Sequence, residues 1–213
     1  MIDYKTLNHF LLDDKFPLPR TQMLFSHLGK ARYLSKFDLK SGFWQLGVHP
    51  TDRYKTAFCI PTGQYQWKVL PFGLKVAPSL FQKAMIRIFE PVLHNALVYI
   101  DDVLLFSETL GEHRILLQEF SDKVKKYGVM LSEKKCTVGT ESIEFLGMKI
   151  TDGTYQPGIW LKRFSDNNLS VKEIQQFLGI VNYLRKNLIV QPTPASCQNF
   201  SGRTQVHGQQ FNG

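Results

Sequence analysis

A chain of 213 residues with 43% hydrophobic content has room for one sizeable domain, or two small ones, with a true core. No stretch approaches the roughly 18–20 uninterrupted apolar residues of a membrane span, and the start MIDYKTLNHF lacks the basic and apolar regions of a secretory signal, so an intracellular, non-secreted protein with no membrane partner is expected. The 26 Lys and Arg against 18 Asp and Glu, a formal +8, favour a polyanionic partner, while the distant cysteines Cys59, Cys136 and Cys197 argue against a disulfide framework or a zinc site.

Residues 1–30 read as an irregular connecting region, with Pro17 and Pro19 fixing an extended segment and a helical turn fitting 21–28. The pattern YLSKFDL at 33–39 predicts a strand that delivers Asp38 near its end and breaks at Ser41-Gly42. TAFCIPTGQYQWKVLPFG predicts a hairpin, with strands 56–60 and 65–70 around the turn Pro61-Thr62-Gly63-Gln64. Pro78, just inside the start of PSLFQKAMIRIFEPVL, opens a helix whose buried face holds Leu80, Phe81, Ala84, Met85, Ile88 and Phe89; Pro91 stops or kinks it.

Two β-branched and aromatic runs, 96–100 and 103–106, then flank Asp101-Asp102 and predict a second hairpin. A helix follows over 110–127, carrying Leu116, Leu117, Phe120 and Val124 and closing at Gly128. His113 is read there as a packing or capping residue, and Lys123, Lys125 and Lys126 as its solvated face. IEFLGMKI and GTYQPG are strand-like. Ser170 with Glu173 marks a further helix start, with Ile174, Phe177, Leu178, Val181 and Leu184 on one face. Residues 191–213, with five Gln, no Lys and no acid, are not expected to pack. No repeat is visible, and strands interleaved with helices of unequal length predict an α+β fold.

The run NALVYIDDVLLFSE sets two adjacent carboxylates among apolar residues, where charge must be compensated. Asp tolerates turn geometry, so a tight turn alone accounts for the pair. If the strand ending in Asp38 lies beside that hairpin in one antiparallel sheet, three carboxylates converge and a metal supplies the compensation. Paired divalent cations on shared carboxylates are a standard device for phosphoryl transfer, and the hard oxygen ligands favour Mg²⁺ or Mn²⁺ over zinc.

FDLKSGFWQ (37–45), LPFGLKVAPSLFQ (70–82), YIDDVLLFS (99–107), LSEKK (131–135) and EFLGM (144–148) resemble, in order and spacing, the palm motifs of reverse transcriptases. The wording is most similar to plant pararetroviruses of the caulimovirus and badnavirus group, and next to Ty3/gypsy-type LTR retrotransposons. The resemblance implies an RNA-directed DNA polymerase palm, residues 31–150, with a fingers hairpin at 56–70 and an antiparallel sheet backed by helices. Residues 1–30 would be a fingers remnant, 151–187 the start of a thumb, and 188–213 a disordered or out-of-frame tail.

By the same resemblance Asp38, Asp101 and Asp102 form the metal triad, of which Asp38 and Asp101 would hold both ions, with the Leu39 carbonyl helping on the same side and two Mg²⁺, or Mn²⁺, as cofactors. Phe43 matches the gate that selects deoxynucleotides, although read alone it is a core aromatic. The segment from Phe72 and Gly73 to Pro78 would underlie the nucleotide and template base; Phe72 stands where retroviral enzymes carry Gln. Lys134 or Lys135 would protonate pyrophosphate. Phe145, Leu146 and Gly147 match the turn that grips the primer. Template with primer and dNTPs are the implied partners. The setting would be a polyprotein with protease and RNase H domains, in the cytoplasm or a virus-like particle. Oligomeric state is not readable.

IDYKTLN resembles the segment after the first fingers strands, so those strands are expected upstream, and the thumb and RNase H continuation downstream. The Gln-rich tail matches nothing in the family, which a frame change in a decayed genomic copy would explain. An inactive remnant that keeps the fold and non-specific nucleic-acid binding is therefore the alternative function. Apolar surface left uncovered would make it poorly soluble. An RNA-directed RNA polymerase is the other palm enzyme weighed, and Phe43 argues against it.

Overall fold

The computed structural model describes residues 2–14, 16–19 and 24–157, together with the isolated Gln175. The helix expected from Ser170, the thumb and the tail lie outside these residues. Three helices are numbered here: α1 Lys5–Phe10, α2 Ala77–Phe89 and α3 Leu110–Tyr127. The strands are β1 Tyr33–Asp38, β2 Phe58–Ile60, β3 Gly63–Tyr65, β4 Ala96–Tyr99, β5 Asp102–Ser107, β6 Thr137–Thr140, β7 Ser142–Phe145, β8 Met148–Thr151 and β9 Thr154–Pro157.

The central sheet runs β4-β5-β1-β6 and is antiparallel throughout. Strand alternation sends Phe37, Val98, Val103 and Leu105 to one face, where they meet Phe81, Met85 and Phe89 of α2 and Leu116 and Phe120 of α3. Leu34, Leu97, Leu104 and Phe106 point the other way, against Phe25, Leu28 and the separate β7-β8-β9 sheet with Phe145 and Ile150. Burial on both faces is why the β4–β5 run is apolar without alternation. The predicted α+β architecture, with helices backing an antiparallel sheet, is the observed one.

Several local expectations need correction. The turn of the central hairpin is Ile100-Asp101, because Tyr99 pairs with Asp102 and places the second aspartate in β5. The fingers-type hairpin is shorter than 56–70: β2 and β3 pair only from Phe58↔Tyr65 to Ile60↔Gly63, across the two-residue turn Pro61-Thr62. Thr56 belongs instead to a 3-10 turn, Pro50–Thr56, and Leu70 folds back to donate its N–H to Leu46 O at 2.8 Å. Residues 1–30 are less irregular than read. α1 is fastened by Asn8, whose side chain donates to Gly73 O (2.7 Å) and accepts from Lys75 N–H (2.8 Å), while Tyr4 packs with Leu70, Leu74 and Ala77. The predicted helical turn at 21–28 is seen only over its described part, from Leu24. On α2, Leu80 is exposed and Gln82 takes a buried place.

α2 ends at Phe89, before a 3-10 turn over Glu90–Asn95 that contains Pro91. α3 has the predicted limits, opened by a Thr109–Glu112 capping box and closed by Gly128 at φ 64°. His113 is buried between strands rather than capping. Ser107 Oγ donates to Thr109 O, so it accepts from His113 Nδ1–H at 2.9 Å. Ser35 Oγ accepts from Gly139 N–H and donates to Nε2 at 2.7 Å. The neutral imidazole thereby ties α3, β1, β5 and β6 together. Among the described residues no helix is long and apolar enough to cross a membrane.

Burial holds the His113 imidazole below its ordinary value of 6.5. The unfolded chain protonates near that value and the folded chain only lower, so the stability that neutral His113 contributes is complete above pH 6.5 and is lost as pH falls below it. Urea melts of wild type and His113→Gln between pH 7.5 and 5 are expected to show a decline in the first that is shallower in the second.

Candidate active site

β1 and β5 set Asp38 directly opposite Asp102, and just past the strand end Leu39 donates its N–H to Asp101 O at 2.7 Å. The three predicted carboxylates therefore meet at one end of the sheet. The Ser41-Gly42 break closes over them: Ser41 at φ 64° and Gly42 at φ 41° turn the chain so tightly that a Cβ on Gly42 would stand 2.6 Å from Asp101 Oδ1. Glycine is needed there both for its backbone and for its missing side chain.

The turn that presents Asp101 is strained. Ile100 sits at φ 50°, a region costly for a β-branched residue. Gln82, fully buried on α2, holds this shape: its Oε1 accepts from Ile100 N–H at 2.6 Å and its Nε2 donates to Val98 O at 2.8 Å. Sequence reasoning missed Gln82; the signal is a lone amide on the apolar stripe of α2. Gln45 likewise pairs its amide with backbone groups, here of the segment after α3. It donates to Met130 O and accepts from Met130 N–H, beside the Leu39↔Leu131 bridge.

Two lysines approach the carboxylates. Lys135 Nζ lies 3.1 Å from Asp38 Oδ2, and Lys36 Nζ 3.9 Å from Asp102 Oδ1. Of the two lysines expected at 134–135 it is Lys135 that reaches the triad; Lys134 is exposed and makes no ion pair there. Among the described residues Asp101 Oδ1 is buried with no hydrogen-bond partner. Burial first, then the charges of Asp102 and Asp38, push the Asp101 carboxyl above the ordinary range, against a downward pull from Lys135. Asp102 is raised too, chiefly by burial; Lys36 opposes the rise, Asp38 adds to it and Lys135 opposes it.

With Asp38 and Asp102 turned toward lysines, no group of three or more His, Cys, Asp or Glu among the described residues is arranged to hold a metal ion. The donor set is nonetheless that of a hard cation: clustered carboxylate oxygens, one of them orphaned and with its charge disfavoured.

Phe43 is partly buried, 5.2 Å from Phe72 and 5.5 Å from Phe81 between ring centroids, so a gate residue and a core aromatic are the same side chain here. Phe72 is half-exposed, and Gly73, at φ 94°, lies against the Tyr4 ring. Pro78 starts α2. Leu146 (φ 49°) and Gly147 (φ 75°) form the β7–β8 turn, whereas Phe145 is wholly buried against Phe25 and so belongs to the core rather than to an exposed grip.

The fold matches solved viral polymerases. It aligns with the foamy viral protease-reverse transcriptase in complex with an RNA/DNA hybrid at a TM-score of 0.77 and 26% identity, covering 87% of this chain and 26% of that one. A second such structure, in complex with double-stranded DNA, gives 0.76 and 27%, covering 86% and 33%. The domain is thus of the palm-like α+β class. The chain belongs to the reverse transcriptase (RNA-dependent DNA polymerase) family, whose model matches residues 1–150. It is 64% identical over 189 residues to the genome polyprotein of Petunia vein clearing virus (isolate Shepherd), covering 87% of this chain. It is 42% identical over 190 residues to the putative enzymatic polyprotein of Cassava vein mosaic virus, again covering 87%, and 36% identical over 187 residues to the enzymatic polyprotein of Cauliflower mosaic virus (strain CM-1841), covering 86%. The chain spans 9%, 29% and 28% of the lengths of those polyproteins.

Gln82→Leu leaves one buried and one part-buried backbone group without their side-chain partner and is expected to cost about 2–4 kcal/mol in urea unfolding. Asp101→Asn is expected to raise the Tm at pH 7. A carboxyl with a raised folded value disfavours the folded state once pH climbs above 3.8, so the gain should shrink toward zero as the pH of the melt is brought below that value.

Proposed function

We propose that the chain is a reverse transcriptase module that adds dNTPs to a primer 3′-OH under the direction of an RNA or DNA template. The observation that carries this reading is the convergence of Asp38, Asp101 and Asp102 around an orphaned Asp101 oxygen. Asp38 and Asp101 would hold two divalent cations, Mg²⁺ or Mn²⁺, with the Leu39 carbonyl helping on the same side and the Asp102 carboxylate adding its charge nearby without ligating. Bound there, such cations lower the pKa of the attacking hydroxyl and stabilise the charge on the leaving pyrophosphate.

The chain's own residues supply positioning and electrostatics. Gln82 and Gly42 fix where the Asp101 carboxylate stands. Lys135, exposed and hydrogen-bonded to Asp38 at the edge of the triad, is the candidate to give a proton to pyrophosphate. Phe43, braced by Phe81, would crowd a ribose 2′-OH, with Phe72, Gly73 and the Pro78 end of α2 lining the nucleotide's other side. The Leu146-Gly147 turn would meet the primer strand. The +8 charge suits a duplex gripped through its phosphates, with affinity that falls as salt rises.

In this reading residues 31–150 are the palm with its hairpin, 1–30 a fingers segment and 151–187 the start of a thumb. The relatives are polyproteins and the solved neighbours are protease-reverse transcriptases, which supports a setting in a longer polyprotein; the cytoplasm or a virus-like particle is the compartment that the family resemblance implies.

Primer extension on poly(rA)/oligo(dT) with Mg²⁺, then Mn²⁺, tests this. The wild-type chain should extend the primer and Asp101→Asn should lose at least about a hundredfold. Template binding without synthesis in either metal would instead favour the inactive remnant.

A further inference from the structure

Lys36 is two residues before Asp38 on β1, so both side chains lie on the face turned toward β7. In the antiparallel register Lys36 pairs with Leu104 and Asp38 with Asp102, which puts Lys36 diagonal to Asp102, within reach of a long side chain. Its ammonium stands 3.9 Å from Asp102 Oδ1 and donates to Glu144 O on β7 at 3.4 Å. The Lys36 side chain is 27% exposed and that of Lys135 66%.

The carboxylates they face are both part-buried, Asp38 20% and Asp102 30% exposed, so the difference lies in the lysines. Lys135 reaches Asp38 from solvent with a 3.1 Å hydrogen bond and regains its hydration on leaving, when a cation would take over the charge of Asp38. Lys36 is part-buried and shared between Asp102 and Glu144 O, so its withdrawal would cost more. Among the described residues no lysine forms an ion pair with Asp101, although the charge of Lys135 acts on it.

We propose that Lys36 is a positioning residue that keeps Asp102 as a fixed, internally paired carboxylate and thereby leaves cation binding to Asp38 and Asp101. The inference rests on the metal-dependent reading of the site given above. Lys135 is the exchangeable counter-charge of the pair that takes up the cation; Lys36 is the permanent one of the carboxylate that does not. Through Glu144 O the same ammonium also fastens Asp102 to the strand that carries the Leu146-Gly147 turn.

The test is a set of thermal melts of the full chain titrated with MgCl₂, read as the Mg²⁺ concentration of half-maximal stabilisation. Lys36→Met keeps the apolar stem and removes only the charge. Asp102→Asn alone should leave the midpoint within about twofold of wild type, its carboxylate being already engaged. Lys36→Met should lower the midpoint about three- to tenfold by releasing Asp102. The Lys36→Met/Asp102→Asn double variant should return to the wild-type midpoint, and Lys36→Arg should keep it. A purely structural Lys36 would move the Tm in the absence of metal but not this midpoint.

A Lys36→Met midpoint equal to wild type, or a drop that persists in the double variant, overturns the proposal. If Lys36→Met does not fold, Asp102→Asn decides: a midpoint displaced as far as by Asp101→Asn makes Asp102 a full cation ligand and overturns it too. A wild-type chain that shows no Mg²⁺ response overturns the underlying metal reading as well, whereas a normal wild-type response shared by Lys36→Met overturns the role of Lys36 alone.

Discussion

Asp38 and Asp102 face each other across neighbouring strands, a placement in which like charges repel. It persists because the register is fixed elsewhere. Six consecutive β1–β5 pairs bury side chains on both faces of the sheet, and a slip of one residue would exchange the contents of the two cores. The apolar residues thus set the positions of the acidic ones, and the repulsion is a charge on the stability of the whole sheet that a bound cation would relieve.

The neighbours of the carboxylates show how the rest of the structure accommodates this constraint. Gln82 and Gly42 impose geometry without charge, one by satisfying the backbone of a strained turn and the other by having no side chain at all. Lys36 and Lys135 offset charge without closing the site. Neither kind of support reaches Asp101 Oδ1, which among the described residues is left buried and unsatisfied, where a folded domain ordinarily tolerates few such atoms.

Much of this was legible in the sequence. The strand that carries Asp38 near its end and the limits of α3 follow from period and punctuation, whereas IEFLGMKI, read as one strand-like piece, divides into β7 and β8 about the Leu146-Gly147 turn. The turn at Ile100-Asp101 did not, because Asp is the better turn former and only the Tyr99↔Asp102 pairing moves it into the strand. α1 was equally hidden: six residues have little helical stability of their own, and the fastening through Asn8 to Gly73 and Lys75 joins segments over sixty residues apart. Phe145 reads as part of a functional turn from its motif, yet its alternation within β7 points it into the core. Gln82 and Lys36 are polar residues whose roles depend wholly on partners distant in the chain.

The pairing of β1 with β5 has a consequence for how the molecule is made. Residues 33–38 leave the ribosome well before 102–107, and at about 5–20 residues per second the first strand waits several seconds for its partner. β6, its other neighbour, comes later still. During that interval a strand carrying Leu34 and Phe37 has no sheet to join, and the long sequence separation makes its closure slow. Nascent chains are therefore most exposed to self-association and to chaperone capture between the synthesis of β1 and that of β5, a window set by topology rather than by final stability.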